Sequence, residues 1–177
     1  MLSVRFQTSA KYPIVSHLFL PYLGSVCRPY PEWRLPGWNR LSSGLHLDDM
    51  RKFFEDPNGG RDYTGSQDYL QSLEPGDTFG FGYEFDTGNI FFTRNGGRLP
   101  NAFLGKYLSS RHDDTGHDVY AAVGVSGHTE VMVNFGTESF SWKEANLPQW
   151  RVECHVGKLG GSSNIEDELP PYSPHHV

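Results

Sequence analysis

Cysteine is scarce in this chain, which has only Cys27 and Cys154 among 177 residues. Two thiols so far apart make no disulfide framework, and they read as buried or surface thiols of a reducing compartment. No run approaches the roughly 20 apolar residues that would cross a bilayer. The opening stretch has an apolar patch broken by Pro13, His17 and Pro21, with no small-residue cleavage site, so it does not read as a signal peptide. Positive charge is thin: 15 Lys and Arg stand against 21 Asp and Glu, with no basic run, and the net charge of −6 argues against a nucleic-acid footprint. Long helical periodicity is missing as well. In its place stand 12 Phe, 9 Tyr, 4 Trp, 20 Gly and 12 Pro. That mixture suits short strands joined by many turns, in one domain with tails.

The richest stretch is EPGDTFGFGYEFDTGNIFFTRNGG, residues 74–97. Glu74-Pro75-Gly76-Asp77 is a turn. Phe79, Phe81, Tyr83 and Phe85 then alternate with Gly80, Gly82 and Glu84, which places four rings on one side of a strand. Burying each ring contributes about 1.5–3 kcal/mol. Asp86-Thr87-Gly88-Asn89 is a turn cluster, and Ile90 to Thr93 return as a second strand. Asn95-Gly96 predicts a type I′ hairpin turn, which needs φ > 0 at both residues. The whole is an antiparallel meander.

On either side the pattern is looser. Pro29, Pro31 and Pro36 exclude a helix around Tyr30, Trp33 and Trp38, so a loop is expected there. Residues 41–47 alternate around Gly44, and a turn at Asp48-Asp49 leads to Phe53-Phe54. Val119, Ala121, Val123 and Val125 alternate, as do Val131, Val133 and Phe135, which predicts a second hairpin. Phe140, Trp142 and Trp150 are expected to finish the fold. From Val156 the composition turns to Gly, Ser, acid and Pro, and a disordered tail is expected.

Enzyme chemistry finds little support. The glycines of Gly80-x-Gly82 sit inside a strand pattern and match no nucleotide loop. His112, Asp113, Asp114, His117 and Asp118 could touch a metal, but no helix or cysteine pair sets their geometry, and no metal or cofactor is assigned. Ser126 is not in a nucleophile elbow. Glu84 and Asp86 share a strand face, yet a glycosidase needs two carboxylates flanking a sugar cleft. No catalytic residue is assigned.

The central stretch resembles the middle of a SPRY domain, with its G-D-x-h-G-x-G and h-F-F-T-x-N-G blocks, h being apolar. Arg28-Pro29-Tyr30-Pro31 and Arg34-Leu35-Pro36-Gly37-Trp38-Asn39 resemble the Y-P and R-L-P-G-W segment of the Ran-binding-protein-type subgroup. Gly44 to Phe53 resembles G-Y-H-x-D-D-G-x-x-F, with Leu45 for the aromatic and Met50 for the glycine. Val119 to Gly124 and Val133-Asn134-Phe135-Gly136 resemble the closing strands. The resemblance implies an all-β, concanavalin A-like antiparallel β-sandwich over residues 24–153, lacking the family's first strands. Residues 1–23 are unassigned, and residues 154–177 form the tail. It also implies a partner-binding loop set at Tyr30, Trp33, Arg34 and Trp38. The tail adds Leu169-Pro170-Pro171-Tyr172, an L-P-x-Y variant of the proline–tyrosine signal read by WW domains. A SPRY module with such a tail resembles fungal adaptors of the endosome–vacuole route. Those adaptors recruit a Nedd4-type ubiquitin ligase to membrane-protein cargo. The alternatives are a Ran-binding-type scaffold of a RING ligase complex and a lectin-like glycan hydrolase.

Overall fold

The computed structural model describes residues 2–7, 22–27, 29–63, 76–106, 119–125 and 130–150. Two five-stranded antiparallel sheets hold them together. The first has the order β10-β1-β6-β7-β8, from strands Glu130–Asn134, Leu2–Gln7, Thr78–Glu84, Asn89–Arg94 and Gly97–Phe103. The second has the order β5-β4-β3-β2-β9, from Arg61–Asp62, Arg51–Phe54, Ser42–His46, Tyr22–Cys27 and Val119–Gly124. Side chains from the two facing surfaces fill the space between. Leu23, Leu45, Tyr63, Phe79, Phe81, Ile90 and Phe92 are at most 5% exposed.

The meander forms as expected. Asn95 and Gly96 take φ of 49° and 83° between β7 and β8. A side-chain clamp fixes it. Arg94 Nη2 lies 2.8 Å from Asp77 Oδ2, and Asn95 Nδ2 donates to Asp77 Oδ1 at 2.7 Å. The Thr78 amide donates to Asn95 Oδ1. Asp77, Arg94 and Asn95 are thus one unit, and the spacing from the aspartate to the turn asparagine has a physical cause. Phe79 and Phe81 enter the core and Tyr83 packs at its margin. Phe85 lies beyond the strand end and is 45% exposed.

Gly82 serves the opposite face of β6. A Cβ there would stand 2.2 Å from the Phe91 ring. Phe91 packs edge-on against Trp142 and Trp150, at 5.2 and 5.6 Å between centroids. These tryptophans belong to two short 3₁₀ turns, Lys143–Asn146 and Pro148–Trp150, and the residue just before them. They cover the outer face of the first sheet.

Two expectations are corrected. β9 and β10 are not a hairpin: β9 pairs with β2 and β10 with β1, in different sheets. Alternation states which residues share a face and is silent about the pairing strand. The unassigned opening segment also contains a strand. Leu2–Gln7 lies between β10 and β6, so the sandwich begins before Gly24. Residues 151–177, with Cys154, lie outside the described residues.

Candidate partner-binding surface

The candidate surface is built on β3, all five of whose residues are buried. A half-buried strand would alternate. Here Leu45 faces the core, while Gly44 and His46 lie under the loop that joins β2 to β3. That loop comes very close. A Cβ on Gly44 would meet the Pro36 carbonyl oxygen at 2.2 Å, and one on Gly37 would meet Phe53 Cβ at 2.5 Å. Gly37 also needs its φ of 95°. Gly24 faces Gly44 across the pair, and a side chain there would strike the Ser43 carbonyl.

Polar contacts lock the loop down. The Cys27 amide donates to the Leu41 carbonyl at its base. The Arg34 and Trp38 amides close turns on Pro31 and Leu35. The Gly37 amide donates to Ser42 Oγ, and Ser42 Oγ donates to the Asn39 carbonyl. The Tyr30 hydroxyl donates to the Leu35 carbonyl. His46 Nε2 bonds the Pro36 carbonyl at 3.0 Å, and its ring stacks 3.9 Å from Phe53. Burial pushes the His46 pKa down, against the smaller opposing pull of the Pro36 carbonyl, Asp48 and Asp49. The imidazole is therefore neutral near pH 7.

The four predicted residues divide into two pairs. Tyr30 and Trp38 brace the loop, Tyr30 through its hydroxyl and Trp38 against His46 at 5.8 Å. Trp33 is presented outward, with the half-buried Arg34 against it. Trp33 is 68% exposed, and the Arg34 guanidinium stacks 4.6 Å from its centroid. Arg34 Nε and the Trp38 indole nitrogen are buried donors with no acceptor among the described residues. The floor residues Gly24, Gly44 and His46 were not picked out from sequence. Gly44, inside the alternating stretch 41–47, is the available signal, since glycine within a strand marks close backbone approach.

The carboxylate pair does not survive. β6 ends at Glu84, and Asp86 lies in the exposed turn beyond it. Glu84 accepts from Thr87, Asn89 and Arg98. Desolvation raises its pKa, but those three hydrogen bonds and the Arg98 charge outweigh it and hold the carboxyl below the usual range. Arg98 in turn lies 3.8 Å over Phe91. The histidine–aspartate cluster at 112–118, Ser126 and the Leu169-Pro170-Pro171-Tyr172 motif all lie outside the described residues.

The SPRY domain model matches residues 19–138. The chain belongs to the SPRY domain family. SPRY relatives include the protein named ssh4 of Sclerotinia sclerotiorum, 38% identical over 137 residues. That match covers 77% of this chain and 23% of the relative. The SPRY domain-containing protein C285.10c of Schizosaccharomyces pombe is 31% identical over 154 residues, covering 85% of this chain and 35% of that one. This chain therefore corresponds to about a quarter to a third of these curated relatives. A crystal structure of a human SPRY domain superposes with a TM-score of 0.53 at 23% identity, covering 77% of this chain and 76% of that one. That likeness concerns the fold. The SPRY sandwich is a protein-interaction fold.

Proposed function

We propose that this SPRY chain is an adaptor that joins two other proteins and breaks no bonds itself. The loop carrying Trp33 and Arg34 captures a cargo or partner protein. The tail motif Leu169-Pro170-Pro171-Tyr172 recruits a Nedd4-type ubiquitin ligase through its WW domains, which directs membrane-protein cargo along an endosomal or vacuolar route.

One observation carries the first half: an indole 68% exposed, stacked under a guanidinium, on a loop held to β3 by close backbone contact. Tryptophan and arginine dominate interface energetics, and a surface ordered beforehand loses little freedom on binding. The second half rests on chemistry alone. Two prolines preset polyproline II, and the tyrosine takes an adjoining pocket in a WW domain.

Two substitutions test the halves separately. Tyr172→Ala should abolish capture by isolated WW domains in a pulldown and leave cargo capture intact. Trp33→Ala should leave the melting temperature unchanged and lower partner affinity about 30-fold, as for a hot-spot residue worth about 2 kcal/mol. A Trp33→Ala chain that fails to fold, or that captures partners normally, overturns the loop assignment.

A further inference from the structure

A second surface lies on the other face of β4 from the Trp33 loop, which packs on Phe53, along the seam between β4 of one sheet and β8 of the other. Lys52 bridges it. Its ammonium donates to the Ala102 carbonyl at 3.0 Å and stands 5.4 and 5.7 Å from the Tyr63 and Phe103 centroids. Phe103 packs 5.4 Å from Phe54, and the Lys106 ammonium sits 4.2 Å over the Phe54 ring. Arg61 is the cross-strand partner of Lys52. Leu104 beside them is 66% exposed. Lys52, Arg61 and Lys106 have no carboxylate within ion-pair distance among the described residues. In a chain of net charge −6 this is a concentration of positive charge on aromatic ground, unmatched among the described residues.

The chain carries a sequence of the opposite character. Glu166-Asp167-Glu168 is followed directly by Leu169-Pro170-Pro171-Tyr172. Three acids match three cations, and the apolar residues after them match Phe54, Phe103 and Leu104. The described chain stops at Trp150, on Phe91 of β7, one strand inside β8. Between Trp150 and Glu166 lie 15 residues rich in Gly and Ser. Fifteen residues of Gly/Ser-type chain would have a root-mean-square span of roughly 20 Å and give an effective concentration of about millimolar. Even a weak site is then substantially occupied.

We propose that the seam formed by Lys52, Phe54, Arg61, Phe103 and Lys106 is the intramolecular docking site for residues 166–172. The docked tail withholds Leu169-Pro170-Pro171-Tyr172 from WW domains, and ionic competition or a better ligand releases it. The functional consequence rests on the WW-ligand reading of the tail, while the docking itself does not.

The test uses the full chain, labelled with ¹⁵N. Substituting Glu166→Lys, Asp167→Lys and Glu168→Lys together should move the amide signals of Lys52, Phe54, Phe103 and Lys106. Raising NaCl to about 0.5 M, where screening shortens to a few ångströms, should move them in the same direction. Indifference of those amides overturns the proposal. Shifts that scale with protein concentration also overturn it, since the tail of a second copy would then be the occupant. In a titration with an isolated WW domain, Arg61→Glu with Lys106→Glu should tighten binding three- to tenfold, toward the affinity of a free peptide of residues 160–177. No tightening overturns the withholding. A free peptide that fails to bind any WW domain sinks the ligase reading instead, and the amide shifts still decide the docking.

Discussion

Replacing Asp77 with Ala removes the clamp at the start of the meander, and its cost can be worked out. Asp77 is 8% exposed at its side chain and Arg94 18%. The change deletes the 2.8 Å contact to Arg94 and the 2.7 Å bond from Asn95. A hydrogen bond to a charged group contributes about 1.5–3 kcal/mol. Breaking a fully buried pair costs roughly 3–5 kcal/mol, because the remaining charge is stranded. Arg94 retains some access to water and already lies 5.5 Å from the Phe79 ring, so its charge is only partly stranded. The loss should be about 3 kcal/mol, toward the lower end of that range. At about 2–4 °C per kcal/mol for a domain of this size, the melting temperature should fall by about 6–12 °C. Urea unfolding followed by tryptophan fluorescence measures this, and an unchanged m-value would confirm that the native fold is retained. A double-mutant cycle with Arg94→Met separates the pair from its surroundings and should give a coupling of about 1.5–3 kcal/mol. A total loss below about 1 kcal/mol, or a coupling near zero, would refute the clamp.

Three further outcomes follow from the same packing. Gly82→Ala should destabilise by about 1–3 kcal/mol, because Phe91 is held by Trp142, Trp150 and Arg98 and cannot yield, whereas Gly97→Ala, where a Cβ would meet only the Arg94 carbonyl at 3.4 Å, should be near neutral by the same unfolding assay. Met50 takes φ of 55°, a strain of about 1–2 kcal/mol that glycine would relieve, but it is also buried, and deleting a buried methionine costs about 2–5 kcal/mol. Met50→Gly should therefore destabilise on balance, despite restoring the family's usual residue. His46 binds a proton less readily folded than unfolded, so its contribution is complete above about pH 6.5 and is lost as pH falls through the lower folded pKa. Melting temperatures at pH 7.5 and 5 should converge partly in His46→Gln, and an unaltered pH dependence would contradict the burial of that ring.

The parts of the fold legible from sequence were those determined by near neighbours. The Asn95-Gly96 turn and the strands around it need only a few residues to specify them, and they formed as expected. Pairing between distant segments was not legible. β1 finds its partners about 75 and 130 positions away, and β9 and β10 part company although only five residues separate them. Periodicity carries no information about such pairings. The candidate surface was half legible. Proline spacing marked the loop, and the four residues named from the resemblance do lie together on it. Which would brace and which would face outward depended on how tightly the loop meets Gly24 and Gly44, a tertiary fact.

The contact between that loop and β3 has a consequence for how a partner would be selected. A platform frozen before the encounter cannot mould itself to what arrives. Candidates are then sorted by fit, and poor ones leave quickly because no rearrangement can rescue them. Variation that widens the range of clients would have to come from changing Trp33 and Arg34 themselves, since loosening the glycine seat beneath them would undo the sandwich first.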